Sequence, residues 1–278
     1  MENIYWSYLD TRNSLVRWNV ATGVISPPHL IEKNIVLPSQ FLRSRLIRGG
    51  NELELEYKLE TTRQNNFLEK VSRMHCLFVF KNELDAERAQ KIWGAPNNHF
   101  QGVCLSEVEV IKPYRFSEHD SNWINHHQNE EFPENWIDLY WSGIACPYYD
   151  NPLWEILIDG RMAVLNQEMR QECYNRFEQD LKCTYLLRLS IMAPTAYSDL
   201  GKVGSFLKRK GNCAILIFII KFDEQEEIRV LNAIKETHPQ QFSMIKEGYV
   251  KNNSLCPDFR DSDYCLTHRC NPSKCPDN

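Results

Sequence analysis

The residues able to do chemistry lie far apart along the 278-residue chain. Arg73 stands just ahead of an apolar run, His75–Phe80. An arginine at such a place can pair with a phosphate or pyrophosphate group, or serve as an ordinary salt-bridge partner. Tyr140 and Ser142 belong to the short motif Tyr-Trp-Ser-Gly, and Tyr140 offers either a stacking surface or core wall. Glu155 precedes the apolar residues Ile156–Ile158. A carboxylate fixed there can stabilise developing positive charge, or be a plain strand-edge acid. Near the C-terminus Cys256, Cys265, Cys270 and Cys275 are separated by eight, four and four residues, with His268 among them. Thiolates in fours suit tetrahedral zinc, at spacings looser than usual; a reduced flexible tail or a redox role are the alternatives. His126 and His127 lie near Glu130 and Glu131. Adjacent histidines in an extended loop point in opposite directions and chelate one ion poorly, so a solvated loop is expected.

The elements that must carry these residues follow from periodicity. Ile4–Leu9 reads as a first strand, and Ser14–Gly23 as either a short helix or part of a hairpin. Glu52–Arg73 reads as a charged surface helix broken near Asn65–Asn66, and His75–Phe80 as a strand. Asp85–Trp93 reads as a helix, and Val103–Lys112 as a half-buried strand. Asp120–Pro133 is polar. Trp154–Leu165 reads as two short strands meeting at an Asp159–Gly160 turn. From about residue 170 the texture changes. Glu168–Lys182 is expected to be a helix, Cys183–Ile191 a strand, Asp199–Lys210 a helix, Asn212–Phe222 a buried strand and Glu224–Glu236 an amphipathic helix. The expected division is 1–168 and 169–278.

Composition narrows the classes. Hydrophobic residues make up 42% and charged residues 25%, proportions of a folded chain with a sizeable core. The net charge of −5 argues against binding nucleic acid through bulk charge. Local basic groups remain, Arg43 with Arg45 and Arg48, and Lys208 with Arg209 and Lys210. The most apolar run, Ala214–Ile220, is far short of the roughly 20 residues a bilayer span needs, and the first residues lack the pattern of a secretion signal. A soluble cytoplasmic protein with reduced cysteines is the expectation, Cys76, Cys104, Cys146, Cys173, Cys183 and Cys213 being core thiols. No Walker A loop, dinucleotide-binding glycine fingerprint, HExxH motif or Gly-x-Ser-x-Gly elbow is present.

The order from Arg63 to Gly160 resembles that of divergent bacterial ADP-ribosyltransferase-like domains. It runs from a basic residue ahead of a strand (SRMHCLFVF) through a helix with Ala86, Ala89 and Trp93 to an alternating strand. A loop with Asp120 and Trp123 follows, then YWSG, and last a glutamate before a strand (PLWEILIDG). The resemblance covers about the first 165 residues. It implies an α+β fold, a split antiparallel sheet with flanking helices, followed by a smaller α/β C-terminal part. It implies NAD as substrate and an unknown protein or nucleic-acid acceptor, with no membrane partner. Glu155 would be catalytic, holding the ribose and stabilising oxocarbenium-like charge. Arg73, Tyr140, Arg17 and Ser142 would contact the dinucleotide. A toxin or phage-conflict role is implied by the same likeness. The chain departs from the pattern in its first strand, where Tyr5, Trp6, Ser7 and Tyr8 stand and no His or Arg is found; Arg12 and Arg17 follow shortly after. Two rival readings therefore stay open: an inactive interaction protein of the same fold, and a zinc-bearing nucleic-acid-binding factor.

Overall fold

In the computed structural model, residues 3–31, 51–94, 100–127, 132–179, 184–210, 213–247 and 268–269 are described. The chain is mixed α/β. Its main sheet has five strands: β1 (Ile4–Tyr8), β2 (Val24–Ile25), β3 (Leu77–Val79), β4 (Leu105–Asp120) and β5 (Trp154–Val164). The order is β1-β4-β5-β2, with β3 also on β5, and every pairing is antiparallel. The sheet curls until Trp6 of β1 and Phe80, next after β3, exchange both backbone hydrogen bonds, at 2.9 and 2.7 Å.

Strand periodicity sorts the side chains of β5 onto two covered faces. Ile156 and Ile158 enter a core with Leu77, Val79, Val108 and Val110. Leu157 enters a second core with Leu55, Leu59, Val71, Cys76, Trp123, Tyr140 and Trp141. Glu155 shares the parity of Leu157 and so faces the second core. That face is covered by helices α3 (Asn51–Asn66) and α6 (Trp136–Ser142).

Among the described residues, two further short helices come before α3: α1 (Ser14–Ala21) and α2 (Pro28–Ile31). Between α3 and α6 lie α4 (Glu83–Trp93) and α5 (Asn122–Asn125). The later helices are α7 (Gln167–Glu178), α8 (Thr184–Met192), α9 (Glu224–Thr237) and α10 (Pro239–Glu247). Asn13, Asn82, Asn166 and Asp223 accept from backbone N–H groups in the first turns of α1, α4, α7 and α9, which fixes where these helices begin. A second, three-stranded sheet joins β6 (Val203–Lys210), β7 (Cys213–Ile220) and β8 (His268–Arg269).

The structure corrects several sequence expectations. Trp154–Val164 is one continuous strand, and Asp159–Gly160 is no turn. Gly160 lies opposite a register shift in β4, between Ile111 and Arg115, where a Cβ would collide with the Tyr114 side chain. The glycine serves close packing, and Asp159 pairs with Arg115. The described part of the expected Cys183–Ile191 strand, from Thr184 on, is not a strand. Thr184–Met192 is helical, its leucines buried against two cores, and a short apolar run does not distinguish the two forms. Asp199–Lys210 is not a helix. Gly201, at φ +77°, turns the chain into β6, which pairs with β7 throughout. Ser14–Gly23 resolves as a helix whose exit is Gly23 at φ +79°. β4 runs on to Asp120, past the expected end at Lys112. Helix α3 stops at Asn66 and is not merely a surface helix, since Leu55, Glu56, Leu59 and Glu60 are buried.

The change of texture near residue 170 falls within α7. Met169, Cys173 and Phe177 of that helix share a core with Leu15, Trp18 and Val20 of α1, and with Leu187 and Val203 beyond it. The Trp18 indole meets the Phe177 ring edge-on at 5.2 Å and donates to the Gly201 carbonyl at 2.8 Å. No helix among the described residues is long and apolar enough to cross a membrane.

Candidate functional site

Arg73, Tyr140 and Glu155, separated by 67 and 15 residues in sequence, meet in one buried cluster. Each is carried differently. Glu155 opens β5. Tyr140 lies in the last turns of α6, whose exit is Gly143 at φ +78°. Arg73 lies in the turn between α3 and β3, where the Cys76 thiol donates to its carbonyl at 3.5 Å.

The Tyr140 hydroxyl donates to Glu155 Oε1 at 2.7 Å and accepts from Arg73 Nη1 at 2.8 Å. Arg73 Nη1 also donates to Glu155 Oε1. Both bonds to Glu155 therefore end on one oxygen, and among the described residues no hydrogen bond reaches Oε2. The other edge of the guanidinium is taken by Glu56 of α3, with Nε to Oε2 at 3.0 Å and Nη2 to Oε1 at 3.3 Å. Arg73, Glu56 and Glu155 are 4%, 1% and 5% exposed. One guanidinium thus faces two carboxyl groups away from water. Burial alone would lower the Arg73 pKa; Glu155 and Glu56 outweigh it and hold the value well above the ordinary one. Burial pushes the Tyr140 phenol well above its usual range, so it stays a donor.

A second tier supports the first. Ser117 and His119 stand two apart on β4 and so share a face. The Cα of His119 pairs with that of Glu155. The His119 ring stacks on Tyr140 with centroids 4.6 Å apart and meets Trp141 edge-on at 5.0 Å. His119 Nδ1 lies 2.8 Å from the Tyr140 carbonyl, which can only accept. The proton is therefore on Nδ1, and Nε2 accepts from Ser117 Oγ at 2.9 Å. Ser117 Oγ in turn accepts from the Val71 N–H at 3.2 Å. Burial lowers the His119 pKa to about 3, so the ring is neutral. Next to it, the Asp120 carboxylate accepts from the backbone N–H groups of Asn122, Cys146 and Leu153, at 3.0, 2.8 and 2.9 Å. It ties the connections on either side of α6 to the end of β4.

Two expected site residues lie apart from the cluster in their bonding. Arg17 donates to the Thr11 and Arg12 carbonyls at 2.7 and 2.9 Å, closing the loop before α1. The Ser142 hydroxyl is on an exposed residue and donates to the Leu139 carbonyl at 2.7 Å. The Tyr140 ring, expected to line a nicotinamide pocket, has His119 stacked on it and the Arg73 guanidinium 5.6 Å from its centroid. His126 stacks on Tyr149 at 4.1 Å, and His127 Nδ1 is 2.8 Å from the Ile124 carbonyl. Among the described residues no group of three His, Cys, Asp or Glu side chains could hold a metal ion. Cys256, Cys265, Cys270 and Cys275 lie outside the described residues, as do Arg43, Arg45 and Arg48.

Sequence reasoning missed Glu56, Ser117 and His119. Glu56 carries a weak signal, the pairing of Leu55–Glu56 with Leu59–Glu60 one turn later on a single helical face. Ser117 and His119 continue the alternation of β4 beyond Pro113.

Residues 40–173, just under half of the chain, match a family described as "Protein of unknown function (DUF2441)". No curated protein matches the chain.

Proposed function

We propose that the chain is an NAD-dependent ADP-ribosyltransferase-like enzyme in which Glu155 is the carboxylate that faces the sugar. The observation that carries this reading is the state of that carboxylate. One oxygen is fixed by Tyr140 and Arg73, and the other has no hydrogen bond among the described residues. A carboxylate held by donors needs no reorganisation as charge develops, which is how preorganised groups lower a barrier. The C1′–N1 bond to nicotinamide breaks, the bonding pair leaves with nicotinamide, and C1′ takes on oxocarbenium-like charge. An acceptor oxygen or nitrogen then bonds to C1′ and loses its proton. Glu155 Oε2 is the oxygen left to hold a ribose hydroxyl and stabilise the charge. Arg73 supplies the cation for the phosphates, and Tyr140 keeps Glu155 in place. The acceptor is a protein or nucleic acid, and a toxin or phage-conflict role fits the resemblance.

The test is nicotinamide release from NAD by the full chain. Glu155→Gln is expected to lower the rate about 100-fold or more, the scale of losing one preorganised electrostatic contact. Equal rates in the two proteins would sink the reading. A second reading, an ion network that only holds the fold of an interaction protein, is favoured by the two-pronged grip of Glu56 on Arg73. It requires that the unaltered chain release no nicotinamide at all.

A further inference from the structure

Arg73 carries a guanidinium fork that matches the two oxygens of a carboxylate. The fork is turned to Glu56 and not to Glu155. Nε and Nη2 meet the two oxygens of Glu56 at 3.0 and 3.3 Å, while among the described residues Glu155 receives Nη1 alone, on Oε1. Were the fork turned to Glu155, both of its oxygens would be filled and neither would be left for a ribose hydroxyl. The division also shares out charge. One guanidinium stands between two buried carboxyl groups, so part of the negative charge of Glu155 stays uncompensated. A carboxylate with a full ion pair of its own would have less to offer a developing cation.

Two bonds along one edge fix the plane of a guanidinium, which a single bond would leave free to turn. With the Nε–Nη2 edge held, the directions of the Nη1 N–H groups follow. They end on the Tyr140 hydroxyl at 2.8 Å and on Glu155. Glu56 is placed by α3. Glu56, Glu60 and Arg63 stand at i, i+4 and i+7, so they share one face of that helix. The face meets the turn before β3 three times. Glu56 takes Arg73, Glu60 accepts from Ser72 Oγ at 2.8 Å, and Arg63 Nη1 donates to the Lys70 carbonyl at 3.1 Å. Leu55 and Leu59, next to the two acids in sequence, are buried in the second core, and the Trp141 indole donates to the Leu59 carbonyl at 2.8 Å. Helix and turn are clasped together, and Glu56 with Arg73 is the part of the clasp that reaches the site.

We propose that Glu56 is a positioning residue of the site. It draws the Arg73 fork away from Glu155, aims Nη1 at Tyr140 and at Glu155 Oε1, and so leaves Oε2 to the ribose of the substrate. The role rests on the transferase reading of Glu155. In Glu56→Gln a neutral amide offers Arg73 one acceptor oxygen in place of two, and the fork is expected to turn toward the carboxylate that remains.

The experiment is nicotinamide release from NAD by the full chain, with kcat and KM measured for the unaltered protein, Glu56→Gln, Glu56→Asp and Glu60→Gln. Glu56→Gln is expected to lose about 10-fold or more in kcat, the scale of removing an outer partner that orients a working group. Its KM is expected to change by less than about threefold, because the lost contact acts on the transition state and not on binding. Glu56→Asp keeps the charge one methylene farther from Arg73 and is expected to fall between. Glu60→Gln, on the same face of α3, keeps an acceptor for Ser72 and Arg63 and is expected to keep the kcat of the unaltered chain. An unchanged kcat in Glu56→Gln, a change confined to KM, or an equal loss in Glu60→Gln overturns the positioning role and leaves the transferase reading standing. No release by the unaltered chain overturns both. Should Glu56→Gln not fold, Glu56→Asp decides alone: a lowered kcat at unchanged KM upholds the role, and an unchanged kcat overturns it.

Discussion

His119 stands directly across the β4–β5 ladder from Glu155, and Tyr140 joins them, stacked on the one and hydrogen-bonded to the other. The histidine holds the Tyr140 backbone carbonyl while the Tyr140 hydroxyl holds Glu155. Its place in the bonding is that of a positioning residue, and it can fill it only while neutral, because Nε2 accepts from Ser117.

That requirement makes stability depend on pH. The folded-state pKa of His119 is near 3, against an ordinary value of 6.5. Between these values the unfolded chain binds more protons, so stability falls as the pH drops. The loss from this group between pH 7 and pH 5 is about 2 kcal/mol. Denaturant unfolding of His119→Gln at the two pH values should show a loss smaller by about that amount. Identical losses in both proteins would refute the assignment.

Lys202 gives the opposite end of the pH scale. It is buried at the joint between α1 and β6, donating to the Val24 carbonyl at 2.9 Å and to Thr22 Oγ1 at 3.2 Å. Burial lowers its pKa to about 7 against a partial counter-effect from Asp199. Above pH 7 the unfolded chain holds the extra proton, so stability rises by about 2 kcal/mol from pH 7 to pH 9. Lys202→Met should abolish that rise, and a variant that retained it would show that another group titrates.

Gly201 turns the chain into β6 in a left-handed conformation, and a Cβ there would run into Ser190 Oγ. Gly201→Ala is expected to cost roughly 3 kcal/mol or more, from the backbone conformation and the collision together. Adding Ser190→Ala should recover part of the loss, since it removes the hydroxyl but leaves the backbone penalty and the close approach to the Cβ of residue 190. A double-mutant cycle in thermal unfolding measures this, and strict additivity would contradict it.

The three backbone N–H groups that end on Asp120 have no obvious substitute partner. Asp120→Ala should cost about 3 kcal/mol or more, one lost partner for each of three buried donors. Chemical denaturation checks it, and a loss under about 1 kcal/mol would mean that water or a neighbouring carbonyl takes over.

Arg73, Tyr140 and Glu155 were readable because each sits beside a recognisable element boundary. Glu56 was not, because acids and apolar residues alternate through ELELEY, which blurs the helical face that is buried. Pro113 cut the reading of β4 at Lys112 and hid Ser117 and His119, although the strand continues after a register shift. The Asp-Gly pair in β5 misled because glycine serves both tight turns and close packing, and only the partner strand decides which. The leucines of α8 misled for a related reason: a segment of nine residues shows little period when most of its side chains are buried.

The curled sheet bears on how the chain can be divided. The family match begins at residue 40, yet β1 and β2 lie before it and pair with β4 and β5 within it. A fragment cut to those bounds would leave Leu105–Glu109 and Met162–Ala163 as bare edges and strip Leu15 and Trp18 from the core that holds Met169 and Cys173. Such a piece is expected to aggregate through its open strand edges. The stretch that matches the family is therefore smaller than the stretch that must be expressed together.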